Sequence, residues 1–209
     1  QSFNDNELNF LGRRHSSHDA VRAVKDSQRK GFENISIDLM YGLPAQTPEI
    51  WQNNLQQACA LGVQHISAYH LTYEENTPLY KLLQKGKIHP VDEELSSTFF
   101  TQLIDTLEEE GFVHYEISNF AKPGYFSQHN SSYWKGDKYL GLGPSAHTFD
   151  GCNRSWNTAS LSDYLKGVFT GNLSCETEHL SPLQHYNEFI LTRLRTSDGI
   201  DTLELNNRF

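Results

Sequence analysis

The sequence predicts an α/β fold built on a parallel sheet or a β/α barrel. Three observations carry this reading. Apolar and polar residues alternate in short runs at 35–40 and 65–73, the period of a strand. Between those runs lie helical stripes, each opened by a capping residue and closed near a glycine. The connections between strands are long enough for the helical crossover that parallel neighbours need.

Taken in order, Ser16-x-x-Asp19 is a capping box that opens a helix carrying Ala20, Val21 and Val24, which stops near Gly31. "NISIDLMYGLP" then puts Ile35, Ile37 and Leu39 on one face of a strand and Ser36, Asp38 and Met40 on the other. Thr47 and Pro48 start the next helix, with Trp51, Leu55 and Ala58 on its inner face and Gly62 at its end. "HISAYHLTY" at 65–73 is the second strand. Asp92 caps a third helix with Leu95, Phe99, Leu103 and Leu107 on one stripe, closed by Gly111, and "VHYEIS" at 113–118 is a third strand. In such folds functional groups sit on loops at the carboxyl ends of strands. Here those loops are 41–46, 71–78 and 119–124. Past residue 124 the alternation stops. The stretch 125–175 is dense in Gly, His and aromatics, and 176–209 reads as helical again, with "SPLQHYNEFILTRL" its strongest part.

The 209 residues, with 37% hydrophobic content, allow one or two globular domains with a sizeable core. A net charge of −9 argues against a broad nucleic-acid surface, and only "GRRH" at 12–15 is locally basic. No apolar run approaches a transmembrane segment, and no signal-peptide pattern is present. Cys59, Cys152 and Cys175 fit no zinc or CxxC spacing, and their odd number suits a reducing compartment, with the cytoplasm expected. The start at Gln1 and the end at Phe209, inside a helical pattern, read as a piece of a longer protein.

Three places invite chemistry. Asp38 ends an otherwise apolar strand, where a carboxylate must be hydrogen-bonded; it either caps the next loop or accepts from a ribose. "YLGLGPSAH" at 139–147 matches no dinucleotide or phosphate-loop spacing, so its glycines allow close approach of a ligand or of a neighbouring strand, and His147 ends it. "HNSSYW" at 129–134 joins an imidazole, a common axial ligand of haem iron, to the flat faces of Tyr133 and Trp134. By residue type alone, a lone His beside aromatics is more often a core residue. His114, Glu116, Glu74 and Glu75 read as solvated or loop residues.

"QSFND…LGRRH" at 1–15, "ISIDLMYGLPAQT" at 35–47, "HISAYHLT…TPLY" at 65–80, "HYEISNFAKPG" at 114–124, "HNSSYW" and "YLGLGPSAH" follow one another in this order. Together they resemble the radical S-adenosylmethionine proteins related to oxygen-independent coproporphyrinogen III oxidase, over nearly the whole chain. Within that group the HNxxYW signature is similar to that of the HemW-type haem chaperones, and the true oxidases differ in that region.

The resemblance implies the second half of a partial (β/α)6, TIM-like barrel over 1–124, an extension over 125–175 and the beginning of a helical C-terminal domain over 176–209. It implies S-adenosylmethionine on a [4Fe–4S] cluster, with Gln1 and Asp38 bonding the nucleoside or its ribose and Arg13 pairing with the methionine carboxylate. His129 is the expected haem contact and iron ligand, with Asn130, Tyr133 and Trp134 shaping the site. The family's CxxxCxxC cysteines would lie upstream of Gln1, so cluster and radical chemistry belong to the parent protein and the piece itself is expected to be inactive. The implied function is to bind haem and hand it to apo-haemoproteins. The alternatives are oxidative decarboxylation of coproporphyrinogen III to protoporphyrinogen IX and, from a different class, an unrelated β/α-barrel hydrolase or lyase.

Overall fold

In the computed structural model, which describes residues 1–209, the chain divides into two units, Gln1–Phe126 and Ser127–Phe209. The first begins with α1 (Asp5–Phe10) and α2 (Ser17–Arg29). The capping box before α2 forms as expected: Ser16 Oγ accepts from the Asp19 amide, and the Asp19 carboxylate accepts from the Ser16 amide. Then come β1 (Ser36–Tyr41), α3 (Pro48–Ala60) and β2 (His65–His70). β1 and β2 are parallel neighbours, in register from Ser36 opposite His65 to Tyr41 opposite His70, and α3 is the crossover between them. α4 (Pro78–Gln84) occupies a stretch in which the sequence shows no clear period, and α5 (Glu93–Glu109) follows behind its Asp92 cap.

Alternate residues of the sheet face α3 and α5 and form the core. Leu39 and Tyr41 from β1 and Ile66 and Ala68 from β2 pack with Trp51, Leu55 and Ala58 of α3 and Phe99, Leu103 and Leu107 of α5. Trp51 is fully buried, and its indole N–H donates to the Phe99 carbonyl at 2.9 Å, which pins α3 to α5.

The third strand departs from the expected pattern. β3 (Val113–Glu116) is shorter than 113–118, and the expected carboxyl-end loop at 119–124 begins instead as β4 (Asn119–Ala121). β4 runs antiparallel between β2 and β3, so the sheet order is β1-β2-β4-β3 and the sheet is mixed rather than parallel. The reason is local: the Glu116 carboxylate accepts from the Ser118 amide and the Asn119 side-chain amide, closing a tight turn across Ile117 and Ser118.

The second unit contains α6 (Gln128–Lys135), β5 (His147–Phe149), β6 (Asn153–Asn157), α7 (Leu161–Thr170), β7 (Cys175–His179), α8 (Pro182–Leu194) and α9 (Thr202–Arg208). Its three strands form an antiparallel sheet in the order β5-β6-β7. β7 corrects the reading of a helical stretch from 176 onward. Its mostly exposed "CETEH" carries no apolar stripe, so only pairing with β6 decides its conformation. α6 and α7 also lie where the sequence shows no clear alternation.

Of the glycines in "YLGLGPSAH", Gly141 serves a neighbouring strand, whereas Gly143 supplies a positive φ. A Cβ on Gly141 would stand 2.1 Å from the backbone oxygen of His147. The Asn157 side-chain amide holds the carbonyls of Gly141 and Gly143 at 3.3 and 2.9 Å, closing the loop onto the sheet. Gly141→Ala must therefore displace backbone, and we expect it to destabilise the second unit by about 3 kcal/mol or more. Urea denaturation followed by Trp134 and Trp156 fluorescence measures this; a midpoint equal to wild type would contradict the close approach.

Candidate functional site

The N-terminal segment is held by a carboxylate that sequence reasoning did not single out. Glu7 on α1 is buried and accepts from Ser2 Oγ, from the Asn54 side-chain amide on α3 at 2.9 Å and from the Gln46 side-chain amide at 2.8 Å. Gln46 in turn accepts from the Gly42 amide at 2.8 Å, and Asn54 accepts from the Phe3 amide at 2.7 Å. No cation takes part. Three neutral donors satisfy the carboxylate and join residues 2–3, the 42–46 loop and α3 in one network. A capping box or a run of apolar residues announces itself in sequence; an acid on a six-residue helix does not.

This network positions the residues expected to meet S-adenosylmethionine. The Gln1 carbonyl accepts from the Met40 amide at 2.8 Å, laying residue 1 along the free edge of β1. Gln1 and Asp38 line one cavity of about 220 Å³, together with Ser2, Ala20, Val24 and Ile37. Asp38 is exposed and alternates with Leu39, so it lies on the sheet face opposite α3 and α5. Arg13 is exposed and does not line the cavity.

The same sheet face carries a second polar network. Opposite Ser36, His65 is buried and bonded on both nitrogens, to Ser36 Oγ and to Tyr115 Oη, each at 2.8 Å. Opposite Asp38, Ser67 donates to the Asn119 side-chain oxygen at 2.9 Å, and the Asn119 amide donates to Glu116. Glu116, expected to be solvated, is buried because the β3–β4 turn folds it under Asn119. His114 stacks on Phe120 with ring centroids 4.2 Å apart, whereas Glu74 and Glu75 are exposed as expected.

In the second unit, "HNSSYW" forms most of α6, behind the Ser127 cap. His129 is exposed, and neither of its ring nitrogens has a hydrogen-bond partner. Tyr133, one turn along, meets it edge-on with ring centroids 5.0 Å apart. Tyr133 then meets Tyr139 at 4.8 Å, and Tyr139 approaches the buried ring of Phe149 at 6.1 Å. Asn130 is half-buried, its amide taken by Ser127 Oγ. Trp134 is half-buried under the Arg195 guanidinium, 4.7 Å from the ring centroid, and its Nε1 is shielded from solvent with no acceptor. His147, the other candidate, is exposed beside Trp156. No group of three or more His, Cys, Asp and Glu side chains is placed to hold a metal ion, and all three cysteines are free.

Two outcomes follow from the buried groups. Glu7→Ala leaves Gln46 and Asn54 without their acceptor and should cost about 2–4 kcal/mol, with Glu7→Gln losing less. Equilibrium unfolding reads the cost, and amide exchange at Gly42 should quicken in parallel; equal stability of Glu7→Ala would show that the network is dispensable. For His65, burial lowers the pKa below its ordinary 6.5, partly offset by Asp38. The unfolded chain therefore takes up this proton first, and stability falls as pH drops below about 6.5, levelling off only beneath the folded pKa. In His65→Asn that share of the pH slope should vanish, and an unchanged slope would place the proton uptake elsewhere.

No family model matches the chain. It is 38% identical over 201 residues to the haem chaperone HemW of Bacillus subtilis, covering 96% of this chain and 53% of that protein. It is 42% identical over 209 residues to radical S-adenosyl methionine domain-containing protein 1, mitochondrial, of Bos taurus, covering 96% and 47%. The chain thus spans about half the length of these relatives. Its fold matches that of Escherichia coli HemN, a radical SAM coproporphyrinogen III oxidase, with a TM-score of 0.78 and 19% identity, over 100% of this chain and 51% of that one. Over nearly its whole length the chain is thus similar to about half the length of haem chaperones named HemW and of radical S-adenosyl methionine domain proteins.

Proposed function

We propose that the protein to which this chain belongs holds haem and transfers it to apo-haemoproteins, and that His129 supplies the axial ligand. One observation carries the reading: the His129 imidazole is exposed with no hydrogen-bond partner on either nitrogen, beside the ring of Tyr133. A structural histidine in this fold is unlike it, since His65 is buried and spends both nitrogens on protein partners. Ligation needs one nitrogen lone pair, and His129 has it available. Tyr133 would wall one side of the macrocycle, with Trp134 and Asn130 supporting the helix face.

S-adenosylmethionine fits the first unit by donor type. Asp38 presents an exposed carboxylate that can accept from ribose hydroxyls, Gln1 lies on the same cavity, and Arg13 offers a guanidinium for the methionine carboxylate. Held on a [4Fe–4S] cluster, this cofactor supplies one-electron chemistry in the family. Cys59 on α3 has its thiol pKa pushed up to about 11 by burial, Cys152 and Cys175 are exposed in the second unit, and no three ligands converge. The cluster ligands would therefore come from outside residues 1–209, from the strands that complete a partial barrel against the free edge of β1. The free cysteines suit a reducing compartment, the cytoplasm in this reading, and no helix is long and apolar enough to cross a membrane. Asp38 as the base of an unrelated hydrolase or lyase no longer has support, given these relatives.

Titrating haem into the full-length protein while following the Soret band tests the proposal. His129→Ala should shift the band and weaken binding by about tenfold or more, a loss on the order of 1.4 kcal/mol. An unchanged spectrum and affinity would remove His129 as ligand. Supplying coproporphyrinogen III anaerobically separates the alternative: product at enzyme-like turnover would make the protein an oxidase.

A further inference from the structure

Beside the α6 aromatics the second unit has a cavity of about 210 Å³, and its lining differs from the rest of the chain in charge. Lys135, Arg154, Arg193 and Arg208 all line it, four of the seven lysines and arginines between Ser127 and Phe209, against only two of that unit's nine carboxylates, Asp137 and Glu188. In a protein of net charge −9 this is a local reversal of sign. The remaining walls are largely aromatic, from Tyr133, Trp134, Tyr139, Phe149 and Phe189.

We infer that this cavity receives the carboxylate-bearing edge of a flat, anionic ligand: the propionate side of the haem whose iron meets His129. The inference rests on the haem reading and adds to it the part of the ligand that is recognised. Tyr133 is shared, since its ring touches His129 on one side and lines the cavity on the other. A macrocycle standing on His129 is wider than the single helical turn between it and Tyr133, so one edge can span the distance to the cavity wall. The volume is below the roughly 300 Å³ at which whole-ligand pockets begin, which fits an edge rather than an entire porphyrin.

The basic side chains have donors to spare. Arg193 directs Nη2 alone to both oxygens of Glu204, at 3.0 and 3.1 Å, and Arg154 directs Nη2 to Glu188 at 2.9 Å and also bonds the Tyr139 side chain. A guanidinium carries five N–H donors, and a second carboxylate can be taken on another nitrogen without breaking the first pair. Glu188 and Glu204 hold the two guanidinium groups in place, which lowers the entropy lost when an acid group binds. The Trp134 ring adds an apolar wall to the cavity, and its Nε1 is shielded from solvent.

Haem and haem dimethyl ester share the iron, the ring and the vinyl groups and differ only in the acidic side chains, so the pair isolates this contact. In the full-length protein, haem should bind about tenfold or more tightly than the ester. Arg193→Met and Arg154→Met keep the apolar stems, and each should bring haem binding toward the ester's affinity while leaving the ester's own affinity unchanged. The comparison of haem with ester in the unmodified protein does not depend on either variant folding. Equal affinity for haem and ester, with binding still lost in His129→Ala, would overturn this inference and leave the haem reading intact. Binding of neither compound would overturn both.

Discussion

Burying a carboxylate without a counter-ion costs several kcal/mol unless donors meet both of its oxygens, and Glu7 meets that condition with Ser2, Asn54 and Gln46. The consequence reaches well beyond α1. Because the three donors belong to the N-terminal segment, to α3 and to the loop after β1, satisfying one carboxylate sets the relative positions of all three. Asn54 and Gln46 both accept as well as donate, Asn54 from Ser2 Oγ and the Phe3 amide and Gln46 from the Gly42 amide, so the N-terminal backbone and the loop after β1 are tied to one carboxylate. Gln1 and Asp38 face one cavity because this clamp, together with the backbone bond from the Met40 amide to the Gln1 carbonyl, lays residue 1 along β1.

Strand alternation divides the first unit chemically. On one face Leu39, Ile66 and Phe120 join the helices in an apolar core, where burial supplies the driving force. On the other, Ser36, His65, Ser67 and Asn119 form chains of hydrogen bonds that end on Tyr115 and Glu116. A face so rich in oriented polar groups is costly as mere structure. Ser67 and Asn119 commit their donors within the protein, beside an exposed Asp38.

The second unit relies on different means. Its small sheet is mostly polar, and much of its organisation comes from close backbone approach at Gly141 and from a run of ring contacts leading from exposed His129 to buried Phe149. The histidine stands at the solvent end of that run, so a ligand can reach it without disturbing the packing beneath. Charge is concentrated next to this run, on the walls of the cavity that starts at Tyr133.

The sequence by itself determined the elements whose signals are local. The Ser16–Asp19 box, the Thr47-Pro48 start, the Asp92 cap and the two-residue period at 35–40 are each written within a few positions, and α2, α3, α5 and β1 follow from them. The long motifs carried the family resemblance and pointed to Asp38 and His129. Tertiary structure alone decided what depends on residues far apart. Whether β3 and β4 form a hairpin inside the sheet turns on pairing with β2, and β7 exists only because β6 is beside it. Glu7 and Glu116 resemble any surface acids until the chain folds donors from positions up to 47 residues away around the first and a turn over the second. The state of His129 is of the same kind: an imidazole is a ligand or a core residue according to whether neighbours take its nitrogens, and only the folded chain shows that none does.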